Sequence, residues 1–189
     1  MKKPALLLID IQKGLDEWDF YGGHRNNPQA EENAARILEA FRENDFFIFH
    51  VRHSSKNPES PLHVSKPGFE IKDGVKPLST EPLYTKNVNS AFIGTDLEAD
   101  LMKDGIKMLI IVGLTTNHCI STSVRMAANL GFETILISDA TAAFDMVGVD
   151  GTKFNAELMH QTALASLKDE FATIMDAKTI LEELQKNLS

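Results

Sequence analysis

The sequence predicts an α/β fold with a six-stranded, mostly parallel sheet and helices on both of its faces. Two observations predict it. Short, nearly unbroken apolar runs alternate with amphipathic segments of helical spacing along the whole chain. The apolar runs also lack a polar face, as in strands covered on both sides. At 189 residues the chain is the length of one domain, read here as 1–189.

The first run, Ala5–Ile11 ("ALLLIDI"), is a buried strand that meets Asp10 near its end. From Pro28 to Asn44, Ala34, Ile37, Leu38 and Phe41 recur at helical spacing. Pro28 suits a first helical turn, and Glu31 and Glu32 suit the positive end of the helix dipole. Phe46–Arg52 reads as the second strand. Residues 53–82 are rich in Pro, Ser, Lys and Gly and read as a long loop of the kind that often serves function, as a lid or an interface. Leu83–Lys86 is a short third strand. "TDLE" at Thr95–Glu98 reads as a capping box opening a helix that stops at Gly105. Lys107–Leu114 is the fourth strand, followed by a helix over about Asn117–Leu130. Glu133–Asp139 is the fifth strand. A helix covers about Asn155–Lys168, Phe171–Met175 is the last strand, and Asp176 caps a final helix to about Lys186.

Composition limits the function classes. The chain is 43% hydrophobic and 24% charged, enough apolar residues for a substantial core in a soluble protein. Its net charge of −8 argues against a nucleic-acid partner, which calls for clustered Lys and Arg. The one cysteine, Cys119, cannot form an internal disulfide, so nothing points to an oxidising compartment. "MKKPALLLIDIQ" reads as a first strand rather than a signal peptide, because Asp10 interrupts the apolar run. No apolar stretch approaches the ~20 residues that span a bilayer. The expectation is a cytoplasmic protein with no membrane partner.

Ligands of open parallel sheets bind beyond the carboxyl ends of the strands. Three residues of complementary chemistry fall there: Asp10 after the first strand, Lys86 at the end of the third, and Cys119 just past the fourth. Alone, Cys119 reads as core filling, Asp10 as a cap and Lys86 as a surface lysine. Together they make a nucleophile, a base and a cation. A helix N-terminus and a nearby ammonium lower a thiol's pKa, and Asp10 is placed to take the thiol proton and pass it to a leaving amine. Gln12, Trp18, Phe20, Phe92, His118 and Ile120 lie close to these three in sequence, His53 ends the second strand, and these seven are the candidate substrate contacts. Aromatic lining suits a small molecule with an apolar or planar part. His50, His53 and His63 bring no carboxylate with them, so no metal is expected, and no cofactor is called for.

Three segments together resemble the isochorismatase-like cysteine hydrolases: "LLLIDIQ", "TKNVNSAFIGTDLEADL" and "IIVGLTTNHCISTSVRMAANLGF". They follow in family order and span almost the whole chain. The resemblance implies a three-layer α/β/α sandwich, an Asp10–Lys86–Cys119 triad, a cis peptide at Leu114–Thr115, and an oxyanion hole formed by the backbone N–H groups of Thr115 and Cys119. The family's nicotinamidases carry an Asp and a His two apart after the second strand, as part of a metal site; here "HVRHSS" lacks that pair. Members that cleave isochorismate lack the nucleophilic cysteine. The resemblance therefore implies hydrolysis of a C–N bond in a small amide, ureido or carbamoyl compound by a homodimer or homotetramer. Metal-assisted amide hydrolysis and a binding subunit with a vestigial triad are the rival readings.

Overall fold

The structure, a computed structural model, describes residues 4–186; Lys2 and Lys3 lie outside that range. Its main sheet runs β1 (Pro4–Ile9), β2 (Phe47–His53), β3 (Leu83–Lys86), β4 (Met108–Leu114), β5 (Glu133–Ala142) and β8 (Thr173–Met175). Two-residue strands β6 (Met146–Val147) and β7 (Lys153–Phe154) form a separate hairpin. The order in the main sheet is β3-β2-β1-β4-β5-β8, and every neighbouring pair is parallel.

The helices are α1 (Ala30–Glu43), α2 (Leu97–Lys103), α3 (Ser121–Asn129), α4 (Ala156–Leu167) and α5 (Ala177–Lys186). Successive side chains of a strand point to opposite faces, and β1 shows this directly. Leu6 and Leu8 pack with Ile37, Leu38 and Phe41 of α1 and Ile180 and Leu184 of α5. Leu7 and Ile9 pack on the other side with Leu97, Leu101, Val124, Leu164 and Leu167 from α2, α3 and α4. Two cores on one sheet make the three-layer sandwich. Each fully buried Leu or Ile contributes roughly 1.5–3 kcal/mol, which explains why the central strands β1 and β4 carry no polar side chain.

Several boundaries differ from the sequence reading. Thr95 does not cap α2: its Oγ1 donates to the Ala91 carbonyl at 2.7 Å, and the N-cap position is Asp96, without a side-chain cap. The helix expected from Asn117 instead opens with a π-type turn, Thr116–Ile120, before α3 begins. The segment 53–82 is a packed wall with two short 3-10 turns at Pro67–Phe69 and Asp73–Val75. It is tied to the end of β1 by Lys13 N to Glu70 O (2.9 Å) and Lys72 N to Ile11 O (3.0 Å). Asp176 caps α5 as expected, accepting from Thr179 N at 2.7 Å. No helix among the described residues is long and apolar enough to cross a membrane.

Candidate active site

The chain leaves β1 for β2 and β3 on one side, then returns to lay β4 on the other. A crevice opens at the carboxyl edge where the order reverses. β1 delivers Asp10, whose φ of +55° turns the chain sharply; Asp tolerates this left-handed conformation better than most residues. β3 ends in Lys86. β4 ends at Leu114, the Leu114–Thr115 peptide is cis, and the turn that follows carries Cys119.

These three side chains meet. Lys86 Nζ donates to Asp10 Oδ2 at 2.6 Å and to Cys119 Sγ at 3.3 Å. Both Asp10 and Lys86 are buried, so their ion pair is shielded from solvent screening. The other carboxylate oxygen, Asp10 Oδ1, has no hydrogen-bond partner among the described residues. It is an acceptor available for a proton. The thiol is pushed up to about 12, first by burial and then by the Asp10 charge, with Lys86 opposing both. The expected lowering by a helix terminus and an ammonium is therefore outweighed. Burial thus favours the neutral thiol at Cys119.

A cavity of about 230 Å³ opens onto this centre. Asp10, His53, Thr115, His118 and Cys119 line it, as do Tyr21, Ser55, Ser60, Leu62, Asn89, Asn117, Phe144 and Met146. Of the expected contacts, five lie outside it. Gln12 is fully buried and its amide is spent on backbone: Nε2 donates to His53 O (3.0 Å) and Phe69 O (2.9 Å), and Oε1 accepts from His53 N (2.7 Å). Trp18 and Phe20 sit exposed on a 3-10 turn (Trp18–Tyr21), beside a different surface hollow. Phe92 is buried and stacks on Phe132 with ring centroids 6.2 Å apart. Ile120 is part of the core. His118 reaches the cavity, and its Nδ1 lies 3.0 Å from Thr115 Oγ1.

Tyr21 was the aromatic to find, one residue beyond Phe20. It stacks on Phe144 with centroids 5.3 Å apart, and both belong to a small apolar cluster with Leu15, Leu62 and Leu114. Asp139 and Asp145 do not reach the centre; they accept from Ala177 N and Ala156 N, at the starts of α5 and α4. Arg125 lies over the Phe171 ring, 4.5 Å from its centroid, and its Nη2 donates to Ser166 O at 3.2 Å.

One group of metal-ligating atoms stands out among the described residues: those of Asp10, His53 and Cys119, all within 4.8 Å of one another. Lys86 Nζ lies 2.6, 3.2 and 3.3 Å from the three. The ammonium takes the place a metal ion would need, so this trio does not fit a resident metal. His50 and His63 lie apart, paired with Glu81 and Ser65.

Comparison with known proteins agrees with this architecture. Residues 4–179 match the family model of the isochorismatase domain. The chain is 46% identical over 185 residues to the uncharacterised isochorismatase family protein YrdC of Bacillus subtilis, covering 98% of each. It is 27% identical over 199 residues to Nicotinamidase 3 of Arabidopsis thaliana, covering 98% of this chain and 91% of that one. Among solved structures, an isochorismatase-family hydrolase from Chromobacterium violaceum superposes with a TM-score of 0.93 at 38% identity, over 97% of this chain and 94% of that one. The chain belongs to the isochorismatase family of hydrolases.

Proposed function

We propose that the protein hydrolyses a C–N bond in a small amide, ureido or carbamoyl compound through a covalent acyl-enzyme on Cys119. The observation that carries this reading is Lys86 Nζ, hydrogen-bonded at once to Asp10 and Cys119, which both line a cavity sized for one small molecule. A relative named as a nicotinamidase supports amide chemistry.

The resting thiol needs a base at the moment of attack, and Asp10 Oδ1 is unengaged. Asp10 takes the thiol proton as sulfur bonds to the carbonyl carbon. Lys86 faces the sulfur and the carboxylate and offsets the charge that moves between them. The backbone N–H groups of Thr115 and Cys119, at the cavity wall, hold the developing oxyanion. As the tetrahedral intermediate collapses, the C–N bond breaks and Asp10 returns the proton to the leaving ammonia or amine. Asp10 then activates water, which adds to the thioester and releases the acid and the free thiol.

The test is ammonia or amine release from a panel of small amides and ureido compounds, with wild type beside Cys119→Ala and with or without chelator. Release that needs Cys119 and ignores chelator is expected. Release by Cys119→Ala at the wild-type rate would refute the mechanism. Release that chelator abolishes would favour metal-assisted hydrolysis.

A further inference from the structure

Lys86 reaches the centre from two strands away. β2 lies between β3 and β1, so the Lys86 and Asp10 side chains together bridge roughly 10 Å, two strand spacings. It does so across the end of β2, and His53 is its register partner there. His53 Nδ1 lies 3.2 Å from Nζ. An ammonium has three donors and no acceptor capacity. Three acceptors surround this one: Asp10 Oδ2, His53 Nδ1 and Cys119 Sγ. The Lys86 side chain is 0% exposed, so water does not stand ready to replace a lost partner.

Because lysine can only donate, Nδ1 is the accepting nitrogen and the imidazole is neutral with its proton on Nε2. The backbone of His53 is fixed on both sides by the Gln12 amide, which binds His53 N and His53 O. We propose that His53 is a positioning residue for Lys86: it holds the ammonium's third N–H and thereby keeps the charge against Cys119. This rests on the triad reading above and replaces a substrate-contact role for His53. It also explains why Gln12, fully buried, serves His53 rather than the cavity.

The neutral state is essential, since an imidazolium would set N–H against N–H. The charged or titratable groups facing the ring are Lys86, Asp10 and Cys119. Burial, and then Lys86, hold the imidazole below its usual range, with Asp10 opposing.

Iodoacetamide alkylation of the full-length protein tests this without a known substrate, because Cys119 is the only thiol. His53→Leu removes the acceptor, whereas the side-chain oxygen in His53→Asn can stand close to the place of Nδ1. His53→Leu is expected to alkylate roughly 10- to 100-fold more slowly at neutral pH, the range for losing a partner that orients a reactive group. His53→Asn is expected to recover most of that rate. Urea midpoints of both variants control for folding, and His53→Ala serves the same arm as His53→Leu. Wild-type alkylation in His53→Leu, or equal slowing in both variants at equal stability, would overturn the proposal. So would a raised KM with unchanged kcat on a substrate found in the release assay, which marks a substrate contact. Hydrolysis by Cys119→Ala would instead refute the triad reading, a separate outcome.

Discussion

Lys86 is among the largest fully buried side chains of the protein, and its charge is tolerated only because Asp10 meets it at 2.6 Å. Removing one partner of a buried pair leaves the other charge uncompensated, at a cost of about 3–5 kcal/mol. Lys86→Met is therefore expected to lower the unfolding free energy measured in urea by that amount, and Asp10→Asn/Lys86→Met to recover part of it. Both variants should be inactive. A Lys86→Met protein as stable as wild type would mean that the pair is not buried as described. The residues of the proposed triad were legible as a group because each falls at or just past the end of a strand, in segments that resemble one family. Their neighbours were not. Where Gln12, Trp18 and Phe20 point depends on the positive φ of Asp10 and on 3-10 turns, which leave no periodic trace. Tyr21 was missed because closeness to Asp10 in sequence does not say which aromatic of "WDFY" turns inward.

Among the elements, β4 shows how tightly the site is built into the sheet. Gly113, one residue before its end, has φ +133°, and a Cβ there would lie 2.0 Å from the Ile9 carbonyl oxygen. That oxygen belongs to the strand that delivers Asp10, so neither backbone can yield without moving the centre. Gly113→Ala combines backbone strain with a clash against main chain and is expected to cost about 3 kcal/mol or more. Gly131 also has a positive φ, +89°, but open space around its missing Cβ, so Gly131→Ala should cost only about 1 kcal/mol. Urea unfolding of the two variants checks the contrast, and equal losses would refute the steric argument. The main strands and helices could be read from the sequence because burial on both faces leaves apolar runs in the central strands and a period of 3.6 in the helices. The β6–β7 hairpin has two-residue strands, too short to show any period. The π-type turn before α3 was hidden because its residues satisfy a helical pattern equally well.

Across the whole molecule, the edge strand β3 is fastened to the sandwich by one carboxylate just before it. Glu81 receives Arg42 through Nε at 2.7 Å and Nη2 at 2.8 Å, His50 Nε2 lies 2.9 Å away, and Leu78 N donates at 2.9 Å. Burial alone would raise its pKa, but these partners together lower it from 4.5 to about 2. His50 is lowered from 6.5, chiefly by burial, with Glu81 opposing. For both groups the unfolded chain binds protons more readily than the folded one. Stability is then fully present above the unfolded pKa and lost as pH falls towards the folded value. His50 opens a first window below 6.5. Glu81 adds a second between 4.5 and about 2, worth about 3 kcal/mol at most. Glu81→Gln removes the second window while weakening the hold on Arg42 at neutral pH. Urea unfolding across pH should therefore show the wild type and Glu81→Gln converging as the solution is acidified. Parallel curves would mean that Glu81 contributes nothing pH-dependent to the hold on β3, which carries Lys86 at its end.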